Sequence, residues 1–551
     1  MDSPSDLTVG YLAHPEIAAQ KYRNADIFDN LPLWRILDSA VLNRADSPAI
    51  TDASVDGPFT LTYAQLDAAV ARRAAGFVDA GLAPGQRIVL QLNNSATFAV
   101  TLLALLRIGA VPVMTLPAHR ISEIAGLADR SGAVGYIGED GRRGFDYRTL
   151  ATELRTRVPG VEQIFIDGDP GEFLALPDAD PASVTLPEDV DPDLPALFLV
   201  SGGTTGLPKL IARTHNDYAF NARQSATIAE LRADDTYLVV LPGAHNFPLC
   251  CPGLFGMLSV GGHVVFTDVA SPDNTFDLIE DHRVTVTALV PALTQLWCAA
   301  SEWEPADISS LRLLQVGGAK LARPDAQAAD EAFGSVIQQV FGMAEGLICY
   351  TRLDDPRELV HEVQGRPMSD LDEVRIVDAD GNDVPDGTDG ELLVRGPYTI
   401  RGYYRADEHN ARSFTDDGFY RSGDQVRRLP SGHLAVTGRI KDTIVRAGEN
   451  VAADDIEEAL LAHPDISQAA VVGLPDDMLG EKICAVLVPP LDRADADGLD
   501  LPTIRKYLAD QGLASFKLPD AVAIAGRLPV TAVGKIDKSV LRDELLTDSA
   551  G

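Results

Sequence analysis

The feature that most constrains this chain is a repeated switch of hydrophobic period. Residues Tyr63 to Ala80 carry apolar side chains at helical spacing, and Arg87-Ile88-Val89-Leu90-Gln91-Leu92 then forms a short apolar run. Similar runs recur at Ala196 to Val200, Tyr237 to Leu241, Gly262 to Phe266 and Val284 to Val290, with helices expected between them. Short apolar runs separated by helices are the pattern of βαβ units, in which helices cover a mainly parallel sheet. The pattern predicts an α/β fold. At 551 residues the chain exceeds what one hydrophobic core supports, so a large unit plus a further one is expected.

The pattern changes twice more. A proline- and aspartate-rich stretch from Asp167 to Pro195 reads as a surface connector. Between Val374 and Val436 the segments shorten and glycine turns multiply, which suggests an antiparallel or barrel-like lobe. After Lys441 a helix at Asp454 to Ala462 and strands at Ala469 to Gly473 and Ile483 to Val488 suggest a small separate α/β unit. The expected organisation is a large N-terminal domain over residues 1–440, with mixed βαβ sheets and a barrel-like lobe. A mobile C-terminal domain covers residues 441–551.

Charge narrows the function. The 46 lysines and arginines face 81 aspartates and glutamates, a formal charge of -35 that opposes polyanionic partners, so nucleic acid is not expected. The apolar stretch from Phe98 to Leu116 is interrupted by Arg107 and Pro112 and reads as a helix followed by a strand, so no membrane partner is expected. Cys250, Cys251, Cys298, Cys349 and Cys484 show no Cys-x-x-Cys spacing, which argues against a zinc site or disulfide framework and fits a reducing, cytoplasmic setting.

Directly after Val200 stands Ser201-Gly202-Gly203-Thr204-Thr205-Gly206-Leu207-Pro208-Lys209. Three glycines let the backbone approach an anion closely. Hydroxyls on Ser201, Thr204 and Thr205 add donors and Lys209 adds charge, so the composition suits phosphate. It is not a Walker A loop, because Leu207-Pro208 follows Gly206. The nonapeptide closely resembles the phosphate-binding loop of the adenylate-forming superfamily of acyl-CoA ligases, peptide-synthetase adenylation domains and firefly-type luciferases. Further segments resemble that family in the expected order, from about Leu33 to about Leu546.

The resemblance implies roles for single residues, with ATP as co-substrate and Mg2+ as cofactor. In Gln338 to Gly346, the residues Gln339, Val340, Phe341 and Gly342 would border the nucleotide, and Glu345 would hold magnesium, for which a carboxylate is a suitable hard ligand. Gly317, Gly318 and Ala319 would line the adenine pocket. Asp424, in Tyr420-Arg421-Ser422-Gly423-Asp424, would accept hydrogen bonds from both ribose hydroxyls. Val436 and Arg439 would complete the nucleotide site. Lys441 would be the hinge on which the small domain swings, bringing Gly448 toward an incoming thiol. Lys535, in Gly534-Lys535-Ile536-Asp537, would stabilise charge on the α-phosphate during attack. Read without the family, each of these is an ordinary turn or a solvated charge.

Pro242 to Gly253 resembles the stand-alone aryl acid ligases that start siderophore and related peptide assembly. The likeness implies that Asn246 binds the substrate's ortho-hydroxyl and carboxylate and that His245 borders the path of thioester formation. Phe247, Cys251, Gly318, Gly342, Met343 and Ile348 would line the acid pocket. Cys251 stands where the 2,3-dihydroxybenzoate subgroup has serine, and Ile348 where it has valine. A thiol is a weak hydrogen-bond partner and the extra methylene takes up volume, so salicylate is favoured over the catechol. The acceptor implied is a phosphopantetheinylated aryl carrier protein. The alternatives are 2,3-dihydroxybenzoate or 6-methylsalicylate as the acid, an aryl-CoA ligase and, more remotely, a non-catalytic homologue.

Overall fold

The helical period read from Tyr63 corresponds to helix Tyr63–Asp79, whose start is fixed by a capping box. The Thr62 hydroxyl accepts from the Gln65 N–H at 3.3 Å while the Gln65 side chain accepts from the Thr62 N–H at 2.9 Å. Helix Ala96–Arg107 follows, with Phe98, Leu102, Leu105 and Leu106 all buried, and then strand Val111–Met114. That helix packs between Val111–Met114 of one sheet and Pro48–Asp52 of another. A helix apolar on all sides belongs in such an interior. In the computed structural model the described residues are 6–548, except 55–56, 188–189, 202–207, 335, 447–448, 477, 491–497, 512, 514 and 532–533.

Two large mixed sheets form the core of the N-terminal domain, one of nine strands and one of seven. In the nine-stranded sheet Val336–Met343, Leu313–Gly317, Val286–Leu289, Thr236–Val239, His263–Phe266 and Pro48–Asp52 run parallel in that order. Antiparallel strands close its edges. The seven-stranded sheet is parallel apart from Leu210–Thr214, which returns antiparallel to Pro195–Val200. The expected connector contains a two-residue strand, Leu174–Ala175, which extends this sheet, and a short turn of 3-10 helix at Pro181–Ser183.

The glycine-rich segment is a four-stranded antiparallel sheet, Glu373–Val377, Asp389–Arg395, Tyr420–Arg428 and Leu434–Arg439. The smaller C-terminal domain has a five-stranded sheet with helices Ala453–Leu461, Leu501–Asp510 and Lys538–Asp548. Among the described residues no helix is long and apolar enough to cross a membrane. All five cysteines are free thiols.

Candidate active site

The site lies off the carboxyl ends of four neighbouring parallel strands. Leu241 and Pro242 follow Thr236–Val239, Val290 follows Val286–Leu289, Gly318 follows Leu313–Gly317 and Glu345 follows Val336–Met343. Open α/β sheets bind ligands in this crevice because strand ends and loop starts converge there. Gly318 has φ +83°, and a Cβ there would stand 3.3 Å from Val290 Cγ1 and 3.4 Å from Lys535 Cε. At Gly317 a Cβ would come within 2.7 Å of the Val340 carbonyl and 3.1 Å of the Phe247 ring. Both glycines therefore let the Phe247 ring and the Lys535 chain approach the strand end. Ala319 follows in the bend after it.

His245, Phe247, Val290, Gly318 and Lys535 enclose a narrow cavity of about 10 Å³, room for about one water. Lys535 reaches it from the C-terminal domain, whose Gly534 abuts Val290, and Lys320 Nζ lies 2.7 Å from Glu458 Oε2 across the same junction. His245 caps helix Asn246–Cys250, and its Nδ1 accepts from the Phe247 N–H at 3.3 Å. Burial, and then the charge of Lys535, lower its pKa to about 3, so the ring is neutral at physiological pH. With Nδ1 accepting, the proton sits on Nε2.

Behind the cavity the Tyr218 hydroxyl donates to Asn246 Oδ1 at 2.8 Å, and the Asn246 amide donates to Cys251 Sγ at 3.5 Å. Burial pushes the Cys251 thiol up to about 12, so it is a neutral, weak polar group and no nucleophile. Ile348 pairs with Gly342 across the hairpin, where a Cβ on Gly342 would stand 3.0 Å from Ile348 Cγ1. Two residues along, Tyr350 donates to Ser225 Oγ at 2.8 Å and faces the Cys251 thiol, so Ile348 and Cys251 belong to one wall. Met343 pairs with Gly346 at the tip of the same hairpin.

Glu345 occupies that tip and is buried, with its carboxylate accepting from Tyr403 at 2.7 Å and Tyr403 in turn 2.9 Å from the Tyr420 hydroxyl. Lys209 Nζ sits 5.6 Å from the centre of the Tyr403 ring. Burial raises the Glu345 pKa, against the pull of the Tyr403 hydrogen bond and of Arg439. One hard carboxylate fits magnesium, which keeps waters and binds substrate phosphates; a cage of three or more His, Cys, Asp or Glu groups is absent among the described residues. Asp424 is buried opposite Arg439 on the neighbouring strand, with Oδ1 2.9 Å from Arg439 Nε. Gln339 spends its amide on the Val360 carbonyl at 2.6 Å and on Gln364, which accepts from the Val436 N–H at 2.7 Å. Those bonds tie Gln339, on strand Val336–Met343, and Val436 to one another through Gln364. Val340 is buried and Phe341 packs against the core.

Gly202, Gly203, Thr204, Thr205 and Gly206, of the loop expected to bind phosphate, lie outside the described residues, as does Gly448. Its ends are described: the Ser201 N–H donates to the Lys209 carbonyl and the Lys209 N–H to Ser201 Oγ, each at 3.0 Å. They close the neck between two antiparallel strands. Lys441 falls in a short 3-10 turn, Ile440–Asp442, between sheets of the two domains.

Arg213 supports the hairpin that carries Glu345 from beneath. It is fully buried, 2.9 Å from Asp217, and donates to the Ala344 carbonyl at 3.1 Å. Removing one partner of such a pair strands the other charge, so Arg213→Met is expected to cost about 3–5 kcal/mol in urea unfolding. A loss below about 1 kcal/mol would contradict this.

Two family patterns match: AMP-binding enzyme over residues 37–404 and AMP-binding enzyme C-terminal domain over residues 455–535. The chain belongs to the AMP-binding enzyme family. Salicyl-AMP ligase / salicyl-S-ArCP synthetase of Mycobacterium tuberculosis is 49% identical, over 98% of this chain and 96% of that protein. The 2,3-dihydroxybenzoate-AMP ligase of Bacillus subtilis is 44% identical, over 97% and 98%. The apo structure of Mycobacterium smegmatis MbtA superposes with a TM-score of 0.75 at 49% identity, over 98% of this chain and 99% of that one. In this AMP-binding enzyme, sequence reasoning missed Tyr403, Tyr218 and Val290. Tyr403 is 58 positions from the carboxylate it serves, and no local spacing marks it.

Proposed function

We propose that this AMP-binding enzyme activates an aryl acid, salicylate, as its adenylate and then transfers the acyl group to the phosphopantetheine thiol of an aryl carrier protein. The observation that carries the reading is the meeting of Lys535 with His245 and Phe247 at the Gly318 turn, beside an Asn246 amide held in place by Tyr218. The acid's carboxylate oxygen attacks the α-phosphorus of ATP and pyrophosphate leaves. Lys535 stabilises the charge that builds on the phosphoryl oxygens. Glu345 would hold the magnesium ion, which neutralises phosphate charge when bound. In the second step the thiol sulfur attacks the acyl carbon and AMP leaves, with a domain rotation at Lys441, at the 440/441 boundary, opening the thiol's path past neutral His245. The free thiols and the use of ATP support a cytoplasmic setting.

Salicylate is favoured because the wall offers a neutral thiol and an isoleucine where a 3-hydroxyl would have to fit. The test is pyrophosphate exchange with benzoate, salicylate, 6-methylsalicylate and 2,3-dihydroxybenzoate. Salicylate is expected to lead. Cys251→Ser with Ile348→Val is expected to shift relative kcat/KM toward 2,3-dihydroxybenzoate by about 10-fold or more, the scale of one methylene plus one polar partner. An unchanged ratio would overturn the assignment of this wall. Comparing coenzyme A with a holo carrier protein as acceptor separates a carrier-protein synthetase from an aryl-CoA ligase.

A further inference from the structure

The segment that carries Lys535 is shaped by its own bonds. Val530 bridges Ile536, the Thr531 N–H donates to the Lys535 carbonyl at 2.7 Å, and the Asp537 N–H donates to the Pro529 carbonyl at 2.8 Å. Such bonds define a hairpin without deciding where it stands on the domain. Its exit supplies that. The Asp537 carboxylate accepts from the Ser539 and Val540 N–H groups at 3.2 Å and so starts the last helix, Lys538–Asp548.

Lys538, the first residue of that helix, points inward. Its Nζ lies 2.7 Å from Glu457 Oε1 and 3.8 Å from Asp454 Oδ1, and the Lys538 and Glu457 side chains are only 20% and 16% exposed. The same Glu457 oxygen accepts the Val471 N–H at 2.6 Å. One carboxylate therefore joins helix Ala453–Leu461, strand Gln468–Asp476 and the residue three positions beyond Lys535. Asp442, in the turn between the domains, adds a third negative charge. Burial works against the ammonium, but these carboxylates outweigh it and hold its pKa above the ordinary value. A surface pair would contribute little; one withdrawn from water leaves a stranded charge when broken, and so fixes geometry strongly.

We propose that the Lys538–Glu457 pair is the anchor that positions Lys535, fixing the exit of its hairpin on the C-terminal domain so that the ammonium arrives beside Gly318. Lys538 lines no part of the cavity, so its role is positional. The inference rests on the role given to Lys535 above.

The test uses the full chain with Lys535→Ala, Lys538→Met, Lys538→Arg and the double variant Glu457→Gln/Lys538→Met. Two quantities are read: salicylate-dependent pyrophosphate exchange, and the number of salicyl-AMP molecules bound per chain. Lys538→Met is expected to slow exchange by about 10- to 100-fold, the scale of a misplacement near 1 Å, with binding stoichiometry unchanged. Lys538→Arg should restore most of the rate. The double variant removes the close Lys538–Glu457 pair whole, leaving no unpaired carboxylate at position 457, so it tests position apart from that buried charge, and it should stay as slow as Lys538→Met. Wild-type exchange in Lys538→Met, a stoichiometry that falls with the rate, or recovery in the double variant would each overturn the anchor. If Lys535→Ala itself exchanges normally, the role of Lys535 falls and the anchor with it. A loss confined to Lys535→Ala refutes the anchor alone.

Discussion

Lys535→Ala is expected to slow salicylate-dependent pyrophosphate exchange by about 10²- to 10³-fold, the usual cost of removing one preorganised group from a developing oxyanion. Among the described residues lining the cavity Lys535 is the one cation, because His245 is held neutral. The walls are otherwise apolar or glycine. In that low-dielectric setting an ammonium acts on phosphoryl charge with little competition from water. The KM values for ATP and acid should move far less than kcat, since the residues proposed to bind both lie mostly in the large domain. Single-turnover formation of salicyl-AMP checks this directly, and a rate within about threefold of wild type would remove Lys535 from the mechanism.

Asp424→Ala is expected to raise the KM for ATP by about 10²-fold. Hydrogen bonds to an ionised group contribute about 1.5–3 kcal/mol each, and two to the ribose hydroxyls sum to at least about 3 kcal/mol. Burial raises the Asp424 pKa, while Arg439 and Lys535 pull it down, so the carboxylate depends on these cations to stay ionised. Arg439 is 49% exposed and remains solvated without its partner, which limits the stability cost of the substitution. Asp424→Asn keeps one acceptor oxygen and should lose about tenfold. Steady-state kinetics with ATP varied at saturating salicylate measures both; equal KM values in wild type and Asp424→Ala would exclude ribose binding there.

The architecture was legible because period carries it. Helix Tyr63–Asp79 ends within a residue of the predicted stretch, and the interior helix Ala96–Arg107 reads from the apolar stretch that begins at Phe98 and is broken at Arg107. Gly317 and Gly318 are singled out by the family resemblance alone; strand Leu313–Gly317, at whose end they stand, is not read from the sequence. What sequence hides is partnership across distance. The bonds of the Gln339 amide to Val360 and Gln364, 21 and 25 positions away, follow from no local spacing. Glu345 reads as a helix or loop residue; the register of Gly342 with Ile348 makes it the tip of a hairpin. Tyr403 and Tyr218, which hold Glu345 and Asn246, come from segments with no marked spacing. Lys538 resembles any first-turn lysine until Glu457 is seen beneath it.

One wall of the cavity, Lys535, belongs to the smaller C-terminal domain. With Lys535 seated against Gly318, the space beside Phe247 admits about one water, and the domain rotation proposed above would be what opens it to an aromatic acid. Shutting the chamber and delivering the charge are then a single event. On that reading a mixed anhydride made there would stay shielded from hydrolysis until the two domains separate, and the timing of that separation would set how much activated acid reaches a thiol and how much is lost to solvent.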